Sequence, residues 1–353
     1  MIVLIAQYKQ YRLRRKYKAI VEMQLMRRVD INVLGEFMIS RASANRRWNS
    51  LVLVVILYFV AATGTIAQQT NIPMKVLKQF TLPGGSVVAG YEAQSILATG
   101  KGKIRLTGTN LAGCNPRHLG AYLYWVVIAE QQSSNFARVK FENTAVKGEL
   151  IAKGTWSWVN PVDYYYIYRA EVTNLVSAKK KDGCWAFTRE WKLSNFPVPE
   201  VLGYCVPDWT GGGWFGATPY TYGAQLVVAM AAPPELRAPL REIVVMDGGG
   251  FVDGDARFDI KNILASRVAT SASFQYFGAG SDLSNSARVI VANQDVGGWN
   301  GNLRTDCSRW DHKYTGVNIP LGATSARVFH DANSDSNQVI WVGAVLSVAP
   351  MEF

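Results

Sequence analysis

The sequence predicts an all-β protein of two tandem jelly-roll-like β-sandwich units, following an N-terminal signal segment. Three observations carry this. Short runs rich in β-branched and aromatic residues recur between clusters of Gly, Asn, Pro and Ser. No stretch after residue 67 sustains helical periodicity over three turns. One segment also returns: "NFARVKFENTAVKG" (135–148) aligns without a gap to "NSARVIVANQDVGG" (285–298).

The chain opens on a basic leader. Residues 1–67 hold eleven Lys and Arg against Glu22, Asp30 and Glu36. Setting these aside leaves 26 basic and 23 acidic residues over 68–353, a net of +3 against +11 for the whole chain. The basicity is therefore no argument for a nucleic-acid partner. "ISRASANRRWNS" followed by the apolar "LVLVVILYFVAA" (51–62) and the small residues Thr65 and Ala67 reads as a signal peptide cleaved after Ala67. An uncleaved membrane anchor is the alternative, though the apolar run is short for a bilayer span. Met38 begins a segment of ordinary signal length, so translation is expected to start there or to include an extended leader. Secretion to the extracellular space, cell surface or periplasm is expected, without stable membrane insertion after cleavage.

Strands are expected over 122–129, 137–143, 164–172, 224–230, 241–247, 287–293 and 338–348. In "YYYIYRAEV", Tyr164, Tyr166 and Tyr168 share one face, and Tyr165, Ile167 and Arg169 the other. Residues 172–181 form a short helix or a loop. Each half ends on an apolar strand that runs into Pro, "AQLVVAMAAP" and "VGAVLSVAP", which places the boundary in "PPELRAP" (233–239). The units are then 68–235 and 236–353, after the 1–67 leader; one larger sandwich is the alternative. Residues 68–84 could pair with a neighbouring subunit, although a strand within the same sheet is simpler.

"GAYLYWVV", "YIYRAEVTNLV", "GAQLVVAM", "PLREIVVMDGG" and "VIWVGAVLSV" resemble an uncharacterised group of secreted bacterial and archaeal β-sandwich domains. In that group the domain often stands at the N-terminus of large surface proteins, ahead of immunoglobulin-like repeats. The likeness covers most of residues 90–350 and implies extracellular display with a structural or adhesive role.

All four cysteines, Cys114, Cys184, Cys205 and Cys307, lie after the leader, and an even number in an oxidising compartment favours two disulfides. Of the three pairings, Cys184–Cys205 with Cys114–Cys307 is favoured, because the first closes a compact loop. None belongs to a CxxC pair.

Two Asp-rich stretches could hold calcium, which wants six to eight oxygen ligands. "MDGGGFVDGDARFD" offers Asp247, Asp253, Asp255 and Asp259, but the same residues make an ordinary reversal between two strands. "HDANSDSN" places Asp331, Asn333, Asp335 and Asn337 at alternate positions, with Ser336 and Val342 where an EF-hand loop wants Gly and Glu. Calcium is thus a candidate, and no cofactor is required. The loop "DWTGGGWFGATPYTYG" (208–223) could present Trp209, Trp214 and Tyr220 to a sugar, since flat rings stack on pyranose faces. Trp156, Trp158 and Trp299 lie in similar segments; the alternative is that these rings seal the ends of the sandwich.

The three histidines are His118, His312 and His330, and neither HExxH nor GxSxG occurs. The sequence therefore predicts a non-catalytic structural or adhesive protein of the cell surface or extracellular matrix. Its partners would be a surface protein, its own copies or a glycan. The alternative is a carbohydrate-binding module using the aromatic loops, and more remotely a glycan hydrolase.

Overall fold

The computed structural model describes residues 70–107, 117–155, 163–178, 188–199, 218–232, 237–263, 270–279, 288–299, 310–331 and 338–348. Gln69–Phe353 forms one compact unit. Among the described residues, no helix is long and apolar enough to cross a membrane.

The chain begins with β1 (Thr70–Asn71) and β2 (Lys75–Pro83), then β3 (Ser86–Glu92), helix α1 (Gln94–Thr99), β4 (Gly102–Thr107) and β5 (Arg117–Ala129). A 3-10 turn (Ser134–Ala137) leads to β6 (Arg138–Phe141), β7 (Thr144–Lys147), β8 (Glu149–Thr155) and β9 (Tyr164–Glu171). Helix α2 (Thr173–Ala178), β10 (Thr188–Ser194) and β11 (Tyr220–Ala231) complete the first half. The second half runs through β12 (Leu240–Asp253), β13 (Ala256–Lys261), β14 (Thr270–Ala279), β15 (Arg288–Val291) and β16 (Gln294–Asp295). It ends on β17 (Trp310–Ile319), β18 (Ser325–Asp331) and β19 (Gln338–Val348).

These strands form four sheets: β4-β10-β6-β7, β3-β11-β5-β9-β8, β17-β14-β19-β12-β2 and β1-β13-β18-β15-β16. The halves repeat one topology. The order β3-β11-β5-β9 returns as β12-β19-β14-β17, and β4-β10-β6-β7 as β13-β18-β15-β16. Among the described residues, each half is thus built on an eight-stranded jelly roll, to which β8 is added in the first half and β1 and β2 in the second.

Burial patterns explain the layering. Strands that alternate, such as β6 with Val139 and Phe141 inward and β18 with Ala326, Val328 and His330 inward, face water on one side. Those without alternation, such as β11 with all twelve residues buried, Thr221 and Gln225 among them, are covered on both faces. Ile104, Trp125, Val139, Trp191 and Leu226 belong to the core of the first sandwich. Phe258, Tyr276, Val289, Trp299 and Trp341 belong to that of the second. A third cluster, with Tyr124, Val126, Ile167 and Val227 from one five-stranded sheet and Ile243, Phe277 and Val345 from the other, joins the jelly rolls back to back. The result is four layers of sheet with three apolar seams.

The internal sequence match maps onto equivalent hairpins. Glu142 and Asn143 turn β6 into β7 with φ of 50° and 67°, and Ala292 and Asn293 turn β15 into β16 with 48° and 66°. Positive φ at both central residues is the type I′ hairpin, where Asn is tolerated better than most side chains. The Glu142 N–H donates to the Lys192 carbonyl at 2.9 Å, and the Ala292 N–H to that of Arg327 at 3.0 Å, so both turns tie to the equivalent neighbour.

The N-terminal strands depart from the expected domain assignment. Residues 70–83, placed above with the first unit, pair with the second: β2 lies antiparallel to β12, and β1 lies parallel to β13. The chain then crosses at Gly84, where φ is +53° and a Cβ would lie 2.7 Å from those of Ala232 and Ala238. Backbone bonds from Ala232 N–H to the Pro83 carbonyl and from Gly84 N–H to that of Pro239 hold this crossing to the link between the halves. Of the segment 172–181, left open as helix or loop, Thr173–Ala178 is helical, and 179–181 lie outside the described residues.

Candidate functional site

The loop-bearing ends of the two jelly rolls lie on the same side of the molecule. In the first, Glu92 pairs with Ala224, Ala129 and Thr155 with Tyr164, and Ile128 with Tyr220. In the second, Ala279 pairs with Trp310 and Ile340, and Asp253 with Gln338. The ends meet across the central seam: a Cβ on Gly223 would lie 3.1 Å from the Trp310 ring, and one on Gly250 would lie 3.3 Å from the Tyr165 hydroxyl.

The aromatic candidates divide at this face. Trp209 and Trp214, like Trp156 and Trp158, lie outside the described residues; the chain re-enters at Thr218. Tyr220 is a correction. It is 5% exposed, packs in the central seam and approaches the Tyr222 hydroxyl at 3.4 Å, so it faces the other jelly roll and not a sugar. The period-two placement of Tyr220 and Tyr222 at the head of an apolar strand was the available signal. Trp299 is likewise buried, edge-on to Trp341 and Tyr276, as a ring that seals the core.

The Asp-rich stretches also look different in place. "MDGGGFVDGD" does hold the reversal between two strands, but only at its end: β12 runs on to Asp253 with a bulge between Asp247 and Gly250, and the chain turns at Gly254–Asp255. Gly249 sits in the bulge at φ +73°, where a Cβ would lie 1.9 Å from the Trp341 carbonyl oxygen. The bulge turns Asp247 into the central seam, 5% exposed. There its Oδ2 accepts from Arg169 Nη1 at 2.6 Å and from the Tyr124 hydroxyl at 3.4 Å, while Arg169 Nη2 reaches Glu149. Burial pushes the Asp247 carboxyl above the usual range, against the pull of Arg169. Asp255 is exposed; the Asp253 side chain, Asn333 and Asp335 lie outside the described residues. Asp331 accepts from Arg288 Nη2 at 2.6 Å. Since Ala256 pairs with His330, Asp255 and Asp331 come to the same corner of the second unit, away from Asp247. Among the described residues, no three His, Cys, Asp or Glu side chains are grouped to hold a metal. Cys114, Cys184, Cys205 and Cys307 fall outside the described residues.

A second polar cluster, which no sequence motif marks, lies where β3 meets β17 at the rim of the seam. Trp310 Nε1 donates to Gln225 Oε1 at 2.8 Å, and Gln275 Nε2 to the Val87 carbonyl at 3.2 Å. His312 Nε2 lies 3.3 Å from Gln275 Oε1, and its ring stands edge-on to Tyr91 at 6.5 Å. Burial lowers the His312 pKa to about 4. His330, inside the second unit, is lowered for the same reason, opposed by its contact with the Gly254 carbonyl.

No protein-family model matches the chain, and no curated protein does. Among solved structures, it aligns to wild-type BuGH86 in complex with neoagarooctaose with 10% identity and a TM-score of 0.26, over 76% of this chain and 34% of that one. A β-porphyranase of glycoside hydrolase family 86 from the human gut bacterium Bacteroides plebeius aligns at 11% identity and a TM-score of 0.24, over 81% and 38%. The VP2 subviral particle of infectious bursal disease virus aligns at 12% identity and 0.19, over 83% and 77%. The chain therefore spans about a third of the glycoside hydrolases' length. At TM-scores of 0.19 to 0.26 these likenesses assign neither a family nor an activity.

Proposed function

We propose that this is an exported, non-catalytic structural or adhesive protein that presents one loop-bearing face to a surface protein or to its own copies. The observation that carries the reading is the common direction of the two loop-bearing ends, fixed by the apolar seam and the Arg169–Asp247 pair. A recognition surface gains affinity when its loops are held in place before binding. Two jelly rolls locked back to back supply that rigidity, and the segments between β10 and β11 and between β18 and β19 both start from this face. The test replaces 208–216 and 332–337 separately with Gly-Ser linkers and measures retention of 68–353 on the producing cells and their matrix. Loss of retention with unchanged melting supports the reading. Retention unaffected by both replacements, or turnover of a matrix glycan, removes it.

A glycan-binding reading through Trp209 and Trp214 is the second one, because the segment that holds them leaves from the same face. Retention on polysaccharide that is lost in Trp214→Ala would favour it.

A further inference from the structure

The rim cluster between β3 and β17, which adjoins the loop-bearing end, has the chemistry of a binding site of its own. Three rings line it in a row. Tyr91, on the edge strand of the first unit, is 44% exposed, and Tyr314, on the edge strand of the second, is 64% exposed. His312 stands between them, edge-on to Tyr91 and two residues from Tyr314 on the same face of β17. Exposed aromatic rings along a seam form an apolar floor that water solvates poorly.

The hydrogen-bonding groups behind the rings are amides and an imidazole. The Val87 carbonyl can only accept, so the Gln275 amide nitrogen must point to it and Oε1 to His312. His312 Nε2 therefore carries the proton, and in the neutral ring Nδ1 is left as an acceptor. Gln225, level with Tyr91 in the ladder and fully buried, gives its oxygen to Trp310, and its Nε2 has no partner among the described residues. An unpaired buried amide N–H is costly unless something accepts from it. The neighbouring charges are turned away: Asp311 and Lys313 lie on the opposite face of β17, where Lys313 Nζ donates to the Gly298 carbonyl at 2.9 Å.

We propose that this rim, formed by Tyr91, His312 and Tyr314 with the Gln275 and Gln225 amides behind them, binds a neutral saccharide. Ring faces stack on the apolar face of a pyranose, and a sugar hydroxyl can donate to His312 Nδ1. Among the described residues no Lys or Arg of β17 faces the rim, so a phosphate or an acidic glycan would gain no ion pair from them. His312 stays neutral above its lowered pKa, so binding should be level from pH 8 to about 5.

The experiment probes 68–353 with arrayed neutral gluco-, galacto-, manno- and xylo-oligosaccharides beside acidic glycans and Pro-rich peptides, and titrates the best neutral sugar by calorimetry. Tyr314→Ala, at an exposed position that leaves the core intact, is expected to weaken binding about tenfold or more. Trp214→Ala should leave it unchanged, which separates this site from the tryptophan loop. Binding to acidic glycans or Pro-rich peptides alone, no binding to any neutral sugar, or full affinity in Tyr314→Ala with loss in Trp214→Ala would overturn the proposal.

Discussion

Removing Arg169 should damage the protein more than removing both members of its ion pair. Arg169→Met leaves Asp247, 5% exposed, with only the Tyr124 hydroxyl at 3.4 Å among the described residues. Breaking a buried pair from one side costs about 3–5 kcal/mol, because a charge is left unpaired in an apolar surrounding. Asp247→Asn should cost less, about 1–3 kcal/mol, since Arg169 keeps Glu149, whose side chain is 68% exposed. The double variant Arg169→Met/Asp247→Leu removes both desolvation costs and should return to within about 1 kcal/mol of the parent. Urea unfolding of 68–353 at pH 7 reads all three, and the Met variant should melt roughly 6–12 °C lower. The pH dependence has a definite sign. A carboxyl whose folded pKa is raised binds its proton more tightly when folded, so its stabilising effect is full below the unfolded value near 4 and is lost as pH rises through the folded one. Arg169→Met removes the group that pulls this pKa down, so the variant should regain stability relative to the parent on acidification. Single variants that each cost less than about 1 kcal/mol, or a double variant as unstable as the sum of the singles, would refute a buried tie between the jelly rolls.

Other perturbations test separate parts of the account. Gly249→Ala places a Cβ 1.9 Å from the Trp341 carbonyl at φ +73°, so it should cost roughly 3 kcal/mol or more by chemical denaturation. Asn143→Ala and Asn293→Ala should each cost about 1 kcal/mol, and Gly at either site should be tolerated, because both occupy the second central position of equivalent type I′ turns. Neutral His312 requires the folded state to refuse a proton that the unfolded chain accepts. Stability should fall as pH drops from about 6.5 towards 4, by about 2–3 kcal/mol more in the parent than in His312→Gln when followed by thermal melts.

The fold was legible where one local period decides it. All seven expected strands are found, with 338–348 matching β19 in full, and the alternate faces of "YYYIYR" separate Tyr166 and Tyr168 in the first core from Tyr165 and Ile167 in the central seam. The repeat was legible because type I′ turns constrain sequence strongly, which preserves Asn at 143 and 293. The partner of β2 was not, since pairing Lys75–Pro83 with β12 depends on contacts more than 150 residues away. Nor was the role of Asp247. Its spacing with Asp253 and Asp255 suggested shared ligation, but a bulge set by Gly248 and Gly249 separates it from them and turns it towards Arg169, 78 residues distant. Tyr220 was misread because its loop composition outweighed the strand that it begins.

The claim on which the rest depends is that the two jelly rolls form one rigid body through the central seam. Differential scanning calorimetry of 68–353 tests it most directly. One rigid body unfolds in a single transition whose calorimetric and van't Hoff enthalpies agree. Two transitions, with Arg169→Met shifting only one of them, would mean that the sandwiches melt independently and that their loops do not share a fixed face.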